Sequence, residues 1–239
     1  MKFKNLFTRI LSSFEGHPPL VAAVINRDIA RLKRELDRGE DINIQITNGI
    51  TPLMIAAKDG QLEIVDALCS HGANIKLKNK DGATAYMTAA IFGQPRVVDY
   101  FLKNGSYVDM KALGQTALHF AAMAGHADVV QVLLDHGANI ECKDSPGKRT
   151  ALMLAAVNGK KDIVEKLINN KAYVNTKNRH GITSLMGAAM EGFLEIVQLL
   201  IENGAGTEFM VEGKTALKLA EENRHKKIVK YLKNKAANN

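Results

Sequence analysis

A pattern that returns about every 33 residues constrains this chain more than any other feature. Threonine opens it at Thr51, Thr84, Thr116, Thr150, Thr183 and Thr215, with successive spacings of 33, 32, 34, 33 and 32. Pro18, in PPLVAAV, stands another 33 residues upstream of Thr51 and opens a degenerate first copy. The clearest copy is GQTALHFAAMAGHADVVQVLLDHGANI, Gly114 to Ile140. Its apolar residues fall in two short clusters, Ala117 to Met123 and Val129 to Leu134, followed by Gly125 and Gly137. That is the pattern of two helices, each with a stop signal. Thr116 can cap the first helix, and each glycine can take the left-handed conformation that ends one. Helices shorter than about 12 to 15 residues are marginal alone in water, so each pair must be held by its neighbours. Two helices per period of this length describe a repeat architecture.

The stretches TALHFAAMAGHADVVQVLLDHGAN, TPLMIAAKDGQLEIVDALCSHGAN and TSLMGAAMEGFLEIVQLLIENGAG closely resemble the ankyrin repeat. The resemblance runs from Pro18 to Asn234. It implies an all-α ankyrin-repeat solenoid, helix-turn-helix units stacked in one elongated array with hairpin finger loops between them. Residues 1–17 are expected to form an amphipathic capping helix. Residues 18–234 are the repeat domain, about seven units counting degenerate first and last copies around five full ones, and 235–239 are a frayed tail. Each full copy carries an Ala-Ala pair in its first helix (Ala56-Ala57, Ala89-Ala90, Ala121-Ala122, Ala155-Ala156, Ala188-Ala189), small enough to let helix pairs approach closely.

Composition agrees with short, closely packed helices. Tryptophan is absent and aromatics make up 5% of the chain, which fits a core of Ala, Leu, Ile and Val, and no deep pocket is expected. Lys and Arg number 32 against 25 Asp and Glu, a net +7 that favours an acidic partner or anionic surface, or simply solubility. Cys69 and Cys142 fall at different points of the repeat, which argues against a bridge and for a reducing compartment, the cytoplasm, with export left open. No run reaches the 18 apolar residues needed to cross a bilayer.

Several segments depart from the pattern. Residues 1–16 place Phe3, Leu6, Phe7, Ile10, Leu11 and Phe14 on one helical face, beside Lys2, Lys4 and Arg9. A cap over the end of the stack is the expected role, and a membrane-surface anchor is the alternative. The turn Ser145-Pro146-Gly147-Lys148-Arg149 accounts for the spacing of 34 and should make a longer, more basic finger. Lys171 stands where Gly72, Gly105, Gly137 and Gly204 end the second helix of other copies. The last copy has Glu221 and Arg224 in place of alanine and glycine, and its lysine-rich final helix reads as a C-terminal cap.

No constellation for catalysis emerges. His119 occupies the TxLH position of the resemblance, which implies hydrogen bonds between turns, and no nucleophile or orienting acid accompanies it in the sequence. His71, His136, Cys69 and Cys142 lack zinc-site spacing. Phosphate-cradling and nucleophile-elbow motifs are missing as well. The chain is therefore read as a non-enzyme without cofactor or metal. The basic row Lys76, Lys78, Lys80, Lys143, Lys148, Arg149, Lys177 and Arg179 has no interleaved aromatics, which favours an acidic protein over nucleic acid.

In ankyrin proteins the end of the first helix, with the finger, looks onto the concave face that meets partners. Here the seventh and eighth residues after each threonine include Ile91, Phe92, Met123, Val157 and Met190, with polar pairs Lys58-Asp59 and Glu222-Asn223 at the ends. An apolar row rimmed by charge is how interfaces look. Fingertip residues Ile50, Leu113, Gln115, Arg149 and Ile182 extend it, and Tyr107 and Tyr173 add contacts at the loop bases. The expected function is a monomeric protein-binding module that masks or inhibits a partner, an enzyme being the specific expectation. A membrane-surface adaptor held by residues 1–16 is the alternative.

Overall fold

The computed structural model describes residues 16–237. Among them are fourteen helices, arranged in pairs, and two strands of two residues each. Contacts divide the chain after Leu113 into two compact units. The first holds α1 (Pro19–Ile25), α2 (Ile29–Asp37), α3 (Pro52–Lys58), α4 (Leu62–Ser70), α5 (Ala85–Phe92), α6 (Pro95–Lys103) and β1 (Lys111–Ala112). The second holds β2 (Gln115–Thr116), α7 (Ala117–Ala124), α8 (Ala127–Asp135), α9 (Ala151–Val157), α10 (Lys161–Asn169), α11 (Ser184–Glu191), α12 (Leu194–Glu202), α13 (Ala216–Glu222) and α14 (Lys226–Ala237). The expected amphipathic cap, residues 1–17, lies outside the described residues but for Gly16 and His17, which are not helical.

Within each unit the two helices of a repeat bury different amounts of surface, and the sequence shows why. First helices such as α5 (AYMTAAIF) and α9 (ALMLAAV) are apolar nearly all round; α5 packs on α3, and α9 is packed between α7 and α11. All ten alanines of the Ala-Ala pairs are fully buried, as close helix approach requires. Second helices are amphipathic and bury one stripe. It is Ile64, Val65 and Leu68 in α4, Val97, Val98 and Phe101 in α6, Val129, Val130 and Leu133 in α8, and Ile163, Val164 and Leu167 in α10. Positions i, i+1 and i+4 make one face of a helix, and the other face stays with water.

The caps are local and regular. The hydroxyl oxygens of Thr51, Thr150 and Thr183 accept from the N–H of Met54 (3.2 Å), Met153 (3.4 Å) and Met186 (3.3 Å), satisfying a donor left over at a helix start. The stops are equally regular, and Lys171 tests them. At Gly137 the chain is left-handed (φ +77°), with Gly137 N–H donating to Leu134 and Ala138 N–H to Leu133. Lys171 repeats this with φ +70°, its N–H donating to Ile168 and that of Ala172 to Leu167. The helix ends in the same way with a residue that is strained there. Arg27 (φ +58°) and Arg224 (φ +62°) repeat the substitution where other copies have the first glycine.

Candidate functional site

The turns that lead into the first helices are built from one side chain each, when the sequence supplies it. Asn79, five residues before Thr84, accepts from the N–H of Asp81 (3.0 Å) and Ala83 (2.9 Å). Asn178, five before Thr183, accepts from His180 (2.9 Å) and Ile182 (3.0 Å). Such side-chain closures are what Asn and Asp bring to turns. In the lengthened turn before Thr150 this position is Asp144, and it does more. Its buried carboxylate accepts from the Arg149 N–H (2.6 Å), Nε (2.9 Å) and Nη2 (2.7 Å), and from Gln115 Nε2 at 3.4 Å. Burial alone would raise its pKa, but the Arg149 hydrogen bonds and charge prevail and hold it below the ordinary carboxylate value.

His119 is tied into the same cluster. Thr116 N–H donates to its Nδ1 (3.3 Å), Thr116 Oγ1 lies 2.7 Å from that nitrogen, and Nε2 lies 3.0 Å from the Arg149 carbonyl oxygen. With Nδ1 accepting, the proton belongs on Nε2, which donates to Arg149. The ring is fully buried and both nitrogens are engaged in linking two turns, the structural role the resemblance implies. Neither is presented to a substrate.

Cys69 is not primed as a nucleophile. Burial pushes the Cys69 thiol up from its ordinary value, away from the reactive thiolate. Both cysteines are free. Among the described residues no three His, Cys, Asp or Glu side chains gather as a metal-binding group.

The expected binding residues differ widely in exposure. In the first unit, Ile91 is only 5% exposed, which corrects its reading as an exposed anchor. It sits in α5, whose apolar side chains are buried all round, so the register position falls inside the packing. Phe92 is half-buried, with Lys58 Nζ 5.7 Å from its ring centroid. Ile50 is fully buried and is no fingertip, whereas Leu113 (59%) and Tyr107 (66%) are exposed.

In the second unit, Met123, Val157 and Met190 are each half-buried at or next to the C-terminal ends of α7, α9 and α11, helices that pack on one another in that order. Val157 leans over Gly187 of α11, its Cγ2 3.0 Å from where a Cβ would stand, so it serves packing as much as surface. Arg149, Gln115 and Ile182 belong to the turns just described, Arg149 being spent on Asp144. Tyr173 is 71% exposed, its N–H held by Glu141 Oε1 at 2.8 Å. Lys143, Lys148, Lys177 and Arg179 are exposed in the loops of this unit.

Two features escaped the sequence reading. Asp144 is one, although its place six residues before Thr150, where Asn79 and Asn178 stand five before their threonines, is a usable signal. Met210 holds the same place before Thr215 without a side chain to close the turn, and is 61% exposed. Next to it, Phe209 receives Lys177 Nζ 4.4 Å from its ring centroid, a cation–π pair.

Known proteins share this construction. A family model described as Ankyrin repeats (3 copies) matches residues 20–112, 108–178 and 152–239. The mouse protein named Ankyrin repeat and SAM domain-containing protein 6 is 46% identical over 67 residues, 27% of this chain and 8% of that protein's length. The crystal structure of the human ASB11 ankyrin repeat domain superposes with a TM-score of 0.78 at 26% identity, covering 87% of this chain and 96% of that one. With threonine caps, paired helices and left-handed stops recurring in register across the matched residues, the chain belongs to the ankyrin-repeat family.

Proposed function

We propose that this ankyrin-repeat chain, a protein-interaction module by family, masks the working surface of an acidic partner, an enzyme in the leading reading, and has no catalysis of its own. The observation that carries the reading is the recurrence of a half-exposed apolar side chain at one register position of three consecutive repeats, Met123, Val157 and Met190. Rigid helix ends lose little entropy when a partner seats on them, and methionine adapts to irregular apolar surfaces. Exposed Lys143, Lys148, Lys177 and Arg179 in the same unit supply the charge that speeds encounter with an acidic surface.

The test compares wild type with Met123→Lys/Met190→Lys after circular dichroism shows both folded. Partners are captured from the native cell, cross-linked and mapped, and the purified partner is assayed for activity. Expected are cross-links near the ends of α7 and α11, inhibition at stoichiometric wild type, and affinity at least tenfold lower for the variant, since central anchors are worth about 2 kcal/mol each. Equal capture and equal inhibition by both would end the reading.

A further inference from the structure

The last helix carries more charge than an end cap needs. α14 contains Lys226, Lys227, Lys230, Lys233 and Lys235 and no acidic residue. Its apolar side, Ile228 and Leu232, is buried in the packing with α13. Beside it lies an open groove of about 580 Å³, lined by Arg224, Lys226, Val229, Lys230, Lys233 and Glu221 among others. Glu221 is already occupied, by Lys233 at 2.9 Å and Lys218 at 4.0 Å. Among the described residues, Arg224, Lys226 and Lys230 have no carboxylate within ion-pair distance, and all three are exposed.

We infer that this groove is a second docking site, one that takes an acidic helical segment of a partner protein. Lys226 and Lys230 stand one helical turn apart, about 6 Å along the axis. Carboxylates spaced by four residues on a facing helix would match them. Val229 and the aliphatic stems of the lysines make an apolar floor between the charges, where one aliphatic side chain of the segment can rest.

The same facts weigh against other occupants. A second copy docking through the same face would set lysines against lysines. A membrane-surface helix needs a free apolar side, and that of α14 is already used on α13. Single-stranded nucleic acid would want stacking aromatics, and among the described residues the groove lining has none.

The site uses neither Met123 nor Met190, so its fate is separable from that of the face proposed above. The experiment titrates the full chain into a labelled helical peptide bearing Glu at i, i+4 and i+7 with one central Leu. Controls are a scrambled peptide of the same composition, a single-stranded oligonucleotide of equal charge, and phosphatidylcholine vesicles containing phosphatidylserine. We expect the ordered peptide to bind several-fold tighter than any control. Lys226→Glu/Lys230→Glu should weaken it by about tenfold or more at low salt and Lys226→Gln/Lys230→Gln by less, while Met123→Lys/Met190→Lys binds as wild type. Absence of peptide binding, equal binding of the scrambled peptide, preference for oligonucleotide or vesicle, or indifference to charge reversal would each overturn the inference.

Discussion

The turn from Asp144 to Arg149 and the turn from Met210 to Lys214 both lead into first helices of the second unit, and they close by different chemistry. In the first, a buried carboxylate gathers one backbone and two side-chain donors of Arg149. The second closes with backbone alone, Val211 and Lys214 exchanging N–H···O bonds of 3.0 and 2.9 Å, with Glu212 at φ +50°. The side chain that no longer closes the turn, Met210, goes out to water. Where a side chain locks the turn, the neighbouring cation is taken from any partner; where none does, an apolar group becomes available to one.

Removing the lock should have the largest effect. Asp144→Ala is expected to cost about 3 kcal/mol in urea unfolding, the low end for breaking a buried ion pair, because Arg149 is partly exposed and can be rehydrated. A cost under about 1 kcal/mol would mean the turn holds itself, like its counterpart at Met210. The same carboxylate sets a pH dependence. Its folded pKa lies below that of an ordinary aspartate, so its contribution is present above the ordinary value and fades as pH falls through the folded pKa. The stability gap between wild type and Asp144→Asn should therefore be full at pH 6 and shrink below about pH 4.

His119→Ala comes next, at about 2 kcal/mol, since it opens a cavity and removes the partners of Thr116 N–H and the Arg149 carbonyl. Combined with Asp144→Ala it should cost less than the sum, because both hold Arg149, and strict additivity would dissolve the cluster as a unit. Lys171→Gly should stabilise by about 1 kcal/mol by relieving a left-handed residue, seen as a melting temperature higher by about 2 to 4 °C. A lowered melting temperature would count against the stop seen at Gly137. Smallest is Met210→Ser, expected to change stability by less than about 0.5 kcal/mol. A larger loss would show that Met210 supports its turn after all.

Much of the fold could be read from the letters because its signals are local. A threonine three residues ahead of the N–H it caps, or a glycine just past a helix end, acts within one turn of chain. The 33-residue period then repeats that local grammar. Even the exception at Lys171 was legible, because the position demands a left-handed residue whatever occupies it. The binding face was less legible. Ile91 and Met123 hold the same place in the repeat, yet one is buried and the other half-exposed.

The sequence by itself determined the number and order of the repeats, their caps and stops, and the apolar stripes of the second helices. Each of these depends on residues within a few positions of one another. Only the tertiary structure decided which register-equivalent side chains meet water, that Asp144 captures Arg149 while Met210 is released, and that Arg224, Lys226 and Lys230 are left without acids among the described residues. Exposure and charge pairing depend on what neighbouring segments bring within a few ångströms, and no spacing along the chain encodes that.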